Sequence, residues 1–166
     1  MNADQLADVV AGVSDPEIDV SLRDLGVLRS VSLTGSRIEV SLTPTRLGCP
    51  ALGEIARRVR SALTDAAPGH EIEIMWERGA WQPTAVTPAG RDALRKGGYR
   101  VAGAAPQCPY CGGDDVVRAG RFGGAVCKVP YDCRGCGSLF DVIGTAGCSA
   151  VLSLHPTRRK EDHDAT

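Results

Sequence analysis

The sequence predicts an α+β fold: a small three-stranded sheet with helices on one face, followed by a C-terminal β module held by cysteines. Three observations lead there. Apolar residues recur at helical spacing in two stretches and alternate at strand spacing in three others, in the order helix, strand, strand, helix, strand. Six of the seven cysteines lie after residue 100. Between the two regions, residues 79–105 are rich in proline, glycine and alanine, the composition of a connector. The expected division is an α+β domain over 1–78, the connector over 79–105, a cysteine-held module over 106–148 and a flexible tail over 149–166.

Leu6, Val9, Val10 and Val13 mark one face of an N-terminal helix. Ser14-Asp15-Pro16-Glu17 ends it, because the residue before a proline is biased out of the α region. Asp15 and Glu17 offer two carboxylates as acid/base groups or metal ligands. The local pattern alone favours a turn in which Asp15 caps the next segment. Residues 21–25 read as a helical turn closed by Gly26. Residues 27–33 read as a strand with Val27, Val31 and Leu33 on one face, and Thr34-Gly35-Ser36 turns the chain into a second strand over 37–43. A third strand is expected over 70–77, with Ile72, Ile74 and Trp76 facing in and Glu71, Glu73 and Glu77 facing out. In the connector, Thr87-Pro88 opens a short helix that stops at Gly97-Gly98, and Trp81 and Tyr99 pin the segment to a core.

The chain is organised around Thr43-Pro44-Thr45-Arg46-Leu47-Gly48-Cys49-Pro50. Leu52, Ile55, Ala56, Val59 and Leu63 follow it at helical spacing, so a helix is expected over 50–66 with Pro50 in its first position. Cys49 then lies at or beside the N-cap, where orphan N–H groups and the positive end of the helix dipole favour a thiolate. A thiolate is both a nucleophile and a metal ligand. The plain alternative is a small buried hydrophobe, a common role for free cysteine.

An odd cysteine count, with no export signal at the acidic N-terminus, argues against a disulfide framework and for metal. Cys108-Pro-Tyr-Cys111 and Cys133-Arg-Gly-Cys136 are two Cys-x-x-Cys knuckles with 21 residues between them. Two residues between cysteines let both sulfurs of a knuckle reach one ion, and two knuckles on neighbouring hairpins close a tetrahedral four-sulfur site. This is the pattern of a zinc ribbon, with strands expected over 116–118, 125–132 and 139–143 and with one structural zinc. Iron in the same geometry is the rival. A closed four-sulfur site has no open coordination position, which disfavours hydrolysis there. Cys127 lies between the knuckles, as a buried ribbon residue or as an extra thiol partner for Cys49.

Several classes are disfavoured. Nineteen basic and twenty acidic residues give no electrostatic reason to expect nucleic acid or an anionic membrane. In residues 106–148, Arg118, Arg121, Lys128 and Arg134 balance Asp114, Asp115, Asp132 and Asp141. No apolar stretch is long enough to span a bilayer, so a cytoplasmic location is expected. No Walker loop is present, and His155 and His163 fall in the tail, leaving a Cys/His or Ser/His catalytic arrangement poorly supported.

Asp15-Pro16-Glu17-Ile18, Asp24-Leu25-Gly26 and the stretch 43–50 resemble the signature of the small α+β domain linked to iron–sulfur assembly. Cys108-Pro-Tyr-Cys111-Gly, Phe122-Gly123, Cys127-Lys128, Tyr131, Cys133, Cys136 and Phe140-Asp141 are similar to the C-terminal half of the PaaD/PaaJ family, a component of the phenylacetyl-CoA epoxidase (phenylacetate-CoA oxygenase). Together the two halves cover residues 3–77 and 106–143. The resemblance implies a non-catalytic accessory or maturation subunit in aerobic phenylacetate degradation. Such a protein helps iron or an iron–sulfur cluster reach another subunit of the epoxidase system. It further implies a pocket of Asp15, Glu17, Thr43 and Cys49, and metal held by Cys108, Cys111, Cys133 and Cys136. The sequence has no Glu-x-x-His pair, which a di-iron bundle requires. One departure stands: the family places a final cysteine within a few residues of the Phe-Asp pair, whereas Cys148 comes seven after Asp141. The competing readings are an interaction subunit with an inert Cys49 and a purely structural zinc, and a rubredoxin-like electron carrier with iron in the ribbon.

Overall fold

The computed structural model describes residues 1–144, apart from residues 47, 80, 104, 122, 125 and 126. Cys148, His155, His163 and the expected tail lie outside the described residues, as do Leu47 and Phe122 of the motifs above.

Helix α1 (Ala3–Ala11) starts with a reciprocal cap: Asn2 Oδ1 accepts from the Gln5 N–H at 2.9 Å, and Gln5 Oε1 accepts from the Asn2 N–H at 3.0 Å. Strand β1 (Leu28–Thr34) pairs antiparallel with β2 (Arg37–Leu42) through the two-residue turn Gly35-Ser36, and Gly35 adopts φ 60°. Helix α2 (Leu52–Ala66) carries the chain back so that β3 (Glu71–Trp76) pairs parallel with β2. Parallel neighbours need such a crossover. The sheet order is β1-β2-β3.

One face of this sheet is the main core. Ile38, Val40 and Leu42 of β2 are fully buried against Leu6 and Val10 of α1 and Ile55, Val59 and Leu63 of α2. The period-2 pattern of β2 and the helical spacing of α2 aim at the same interior, so local and global preferences agree.

The connector holds a 3-10 turn over Pro83–Ala85 and then α3 (Pro88–Lys96). Thr87 Oγ1 caps α3 by accepting from the Gly90 N–H at 3.0 Å, and it donates to Asp24 at 2.6 Å. Gly90 lies so close to Asp24 that a Cβ there would collide with the Asp24 carbonyl. Glycine lets α3 rest directly on the 21–26 loop.

The C-terminal sheet contains one strand more than the sequence suggests. Strands β5 (Val116–Arg118), β6 (Lys128–Cys133) and β7 (Leu139–Ile143) form an antiparallel ribbon, and β4 (Tyr99–Val101) joins β7 in parallel, giving the order β4-β7-β6-β5. Residues 99–101 read as connector because they directly follow Gly97-Gly98 in a glycine- and proline-rich stretch.

The start of α2 also differs. The helix begins at Leu52 with Ala51 as N-cap, so Pro50 precedes the helix instead of opening it. The residues 48–51 form turns, with the Leu52 N–H donating to the Cys49 carbonyl at 3.3 Å. Residues 22–26 form the expected turn, with the Leu25 N–H donating to the Ser21 carbonyl at 2.9 Å and Gly26 closing it at φ 66°.

Candidate metal-handling site

Two clusters of thiols emerge. The first is in the ribbon. Cys108 and Cys111 come from the turn before β5, Cys133 from the end of β6 and Cys136 from the turn into β7. Their sulfurs all lie within 4.8 Å of one another, with Cys108 and Cys136 at 3.7 Å and Cys111 and Cys133 at 3.6 Å. Four soft ligands converging on one point, two from each knuckle, match a tetrahedral ion.

Backbone groups favour this arrangement. The Gly113 N–H donates to Cys111 Sγ at 3.4 Å, and the turn after Cys133 closes with the Gly137 N–H on the Cys133 carbonyl at 2.8 Å. Gly112 and Gly137 both take φ 75°, the left-handed conformation that follows each knuckle. The Gly113 N–H favours the Cys111 thiolate, but hydrogen bonds with Cys136, Cys133 and Cys108 outweigh it and push Cys111 up to about 12. Ser138 holds Cys136 down at about 6. Beneath the cluster, Phe140 stacks on Tyr131 with ring centroids 5.8 Å apart.

The second cluster lies between the two halves of the chain. Cys49, in the turn before α2, is half-buried against the main core. Its sulfur shares a hydrogen bond with the thiol of Cys127, which immediately precedes β6. That hydrogen bond is the largest influence holding Cys49 down at about 7. Burial opposes it, the Ala51 N–H reinforces it, and the carboxylates of Glu17 and Asp15 work against it. Cys127 is pushed far up by the same bond and then by its burial. Cys49 is therefore the sulfur that ionises first, and Cys127 is the donor.

The neighbours come from both halves. Lys128, only 8% exposed, pairs with Glu17 at 3.6 Å and sits 5.1 Å over the Tyr99 ring. Asp15 Oδ1 is engaged locally, accepting from the Glu17 N–H at 2.8 Å and the Ile18 N–H at 3.2 Å. That is the turn-capping arrangement its local sequence suggests. Asp15 still lies close enough to Cys49 for its charge to act there. Thr43 is fully buried, its N–H donating to the Val27 carbonyl at 2.8 Å, and its Oγ1 has no hydrogen-bond partner among the described residues. An unpaired buried hydroxyl costs roughly 1–3 kcal/mol.

The sequence identifies Cys49, Asp15, Glu17 and Thr43, and the structure adds Lys128 and Tyr99, which the sequence offers only as a ribbon-motif residue and a core contact. Trp81 anchors the arrangement. Its Nε1 donates to the Leu25 carbonyl at 2.7 Å, and its ring lies against Gly144, where no Cβ would fit. The Gly144 N–H in turn donates to the Cys127 carbonyl at 3.3 Å.

Comparison with known proteins separates the same two regions. Residues 3–74 match the family of iron–sulfur cluster assembly proteins, and residues 97–144 match the PaaD zinc beta ribbon domain. A protein of Escherichia coli (strain K12), provisionally designated the D component of 1,2-phenylacetyl-CoA epoxidase, is 29% identical over 143 residues, spanning 80% of this chain and 87% of the relative. An iron–sulfur cluster carrier protein of Deinococcus radiodurans is 34% identical over 86 residues, 52% of this chain but 24% of that protein. The crystal structure of a domain of unknown function, DUF59, from Bacillus anthracis is 26% identical and superposes with a TM-score of 0.52, covering 55% of this chain and 90% of the other. The resemblance to the PaaD family and the α+β-plus-ribbon fold expected from the sequence both hold. Among the described residues, no helix is long and apolar enough to cross a membrane.

Proposed function

We propose that this protein is a non-catalytic accessory subunit of a phenylacetyl-CoA epoxidase system, working in the cytoplasm. In this reading it assists the assembly of iron or an iron–sulfur cofactor on a partner subunit of that system. Cys49 is the cargo-handling group, with Asp15, Glu17 and Thr43 around it. Cys108, Cys111, Cys133 and Cys136 hold one structural zinc. The observation that carries the reading is the state of Cys49: a half-buried sulfur held at about 7, beside Glu17 and Asp15, in a region that matches iron–sulfur cluster assembly proteins. A cation is attracted to a thiolate flanked by carboxylates, and a half-buried thiolate at the surface can give the cation up again.

The ribbon metal has a different role in this reading. Its four sulfurs fill a tetrahedral shell, so it supports the fold and does not exchange cargo.

A second reading has two observations in its favour. Cys49 packs against the main core and Asp15 is occupied by its own turn, as expected of an interaction subunit with an inert thiol.

Two measurements decide between them. The protein purified without air is assayed for zinc, iron and sulfide. Zinc plus substoichiometric iron and sulfide that vanish in Cys49→Ala support assembly. One zinc with no iron supports the interaction subunit, and iron in place of zinc supports electron transfer. In a host lacking the native subunit, Cys49→Ala is expected to abolish phenylacetyl-CoA epoxidation. Full activity of that variant rules out the assembly role for the thiol.

A further inference from the structure

Away from both thiol clusters, positive charge gathers in one stretch. Residues 88–107 carry four basic side chains, Arg91, Arg95, Lys96 and Arg100, against one acidic, Asp92, in a chain whose charges nearly cancel overall. Asp92 is engaged on its own helix, pairing with Arg95 at 2.6 Å and with Lys96 at 2.9 Å. Arg91 and Arg100 have no carboxylate partner among the described residues. Both line one cavity of about 200 Å³, walled by α3, β4 and the residues after β4, with Val101, Gly103, Pro106 and Gln107 around them. Backbone groups, not charges, steady the two guanidinium groups. Arg91 donates to the Pro83 carbonyl. Arg100 Nε donates to the Gln107 carbonyl at 2.8 Å, and its Nη2 donates to the Cys108 carbonyl at 3.2 Å. A carbonyl accepts a hydrogen bond but cancels no charge. Each guanidinium also keeps most of its five N–H donors for another acceptor.

We propose that this cavity binds a phosphate group, either free phosphate or the phosphomonoester of a coenzyme A thioester. A phosphomonoester carries about 1.5 to 2 negative charges near pH 7, which two guanidinium groups match, whereas a carboxylate carries one. Guanidinium forks also meet phosphate oxygens through paired N–H bonds. The carbonyl anchors hold both side chains before a ligand arrives, so less rotamer freedom is lost on binding. Size selects a group over a whole molecule. Pockets that enclose drug-sized ligands measure about 300–1,000 Å³. This smaller cavity takes one phosphate and leaves the body of a larger ligand outside. Val101 and Pro106 give that body an apolar wall next to the phosphate. The coenzyme A source rests on the proposed role, because the thioester substrate of that system carries a ribose phosphomonoester. The free-phosphate source does not rest on it.

The test titrates the full-length, zinc-replete chain in low-salt, phosphate-free buffer with inorganic phosphate, coenzyme A and dephospho-coenzyme A, followed by calorimetry. The expected result is saturable binding of inorganic phosphate and of coenzyme A at a single shared site. Arg91→Gln should weaken it by at least about tenfold, the loss of a charge-assisted contact, and Arg91→Lys should restore part of it. Lys96→Gln removes the same charge from the same helix outside the cavity and should change affinity by less than about twofold. Coenzyme A that binds more tightly than both inorganic phosphate and dephospho-coenzyme A identifies the thioester as the source. Equal affinity for coenzyme A and inorganic phosphate identifies the free ion, and the proposed role is untouched. Absence of saturation by about 10 mM phosphate, ten times a millimolar Kd, overturns the inference. So does a loss in Lys96→Gln as large as that in Arg91→Gln, which means diffuse attraction to a basic surface. Coenzyme A binding that inorganic phosphate does not compete away overturns it too. The side-chain ¹⁵N resonances of Arg91 and Arg100 in the wild type should shift with phosphate, so a variant that fails to fold does not blunt the test.

Discussion

The protein holds two sets of thiols that differ in nearly every respect. The ribbon cluster is local: its two knuckles lie on neighbouring turns, each with the spacing that lets both sulfurs reach one ion. The Cys49–Cys127 pair joins residues 78 positions apart, one before α2 and one before β6, across two domains. The first set is complete in itself and has every coordination position filled by sulfur. The second depends on packing elsewhere and offers two sulfurs instead of four. The contrast separates two uses of cysteine: permanent coordination makes structure, whereas partial coordination permits transfer.

The largest effect should come from the closed set. Removing the ribbon metal with a chelator, or changing Cys108 to Ser, forfeits binding free energy on the order of 10 kcal/mol. The β4–β7 sheet is expected to melt. The α+β domain should lose stability as well, because Ile143 of β7 is buried in its core. Circular dichroism against metal content reads this out, and an unchanged melting curve of the chelated protein contradicts it.

Next is Trp81→Ala, which removes a buried indole and leaves the Leu25 carbonyl without its donor. A loss of about 3–5 kcal/mol in urea unfolding is expected. The ribbon metal should remain bound, so the two sites become separable. Retention of wild-type stability contradicts the anchoring role.

Lys128→Met tests the ion pair beside the second set. Its partner Glu17 is 29% exposed, so solvent screens part of the interaction, and a loss of about 1–2 kcal/mol is expected. The same substitution at Lys96, an exposed helix residue paired with Asp92, should change stability by less than about 0.5 kcal/mol.

The smallest effect sharpens the comparison chemically. With Cys49 at about 7, alkylation of this thiol should rise as pH passes through 7, because the thiolate is the reactive form and dominates above its pKa. Cys127→Ala removes the hydrogen bond that contributes most, so the midpoint should move up toward the ordinary 9.0. Mass-spectrometric rates at several pH values follow it. A midpoint that stays near 7 in the variant assigns the shift to the Ala51 N–H instead.

Legibility followed the same division. The ribbon was readable because Cys-x-x-Cys is a local geometric code. The strands of the first sheet were readable because β2 alternates and α2 repeats at helical spacing toward one core. The fine placement of Cys49 was not, since proline's preference for the first helical position suggested a helix start at Pro50, whereas the turn over 48–51 delays it to Leu52. The partnership of Cys49 with Cys127 was readable only as an alternative, because a contact across 78 positions leaves no periodicity. Lys128 was legible only as a member of the ribbon motif and Tyr99 only as a core contact, not as neighbours of Glu17: a lysine buried on the ion pair's side of a strand has the same sequence appearance as an exposed one.

The burial of Ile143 in the core of the first domain has a consequence for biosynthesis. Synthesis runs from the N-terminus, so α1, α2 and the three strands of the first sheet leave the ribosome well before β6 and β7. Until residue 143 has emerged, that core lacks one of its own members, and until residue 127 has emerged Cys49 has no second thiol to meet. The nascent chain therefore cannot present the paired thiols. Only a chain that has emerged through β7 can, which ties the competence of the site to the emergence of the ribbon.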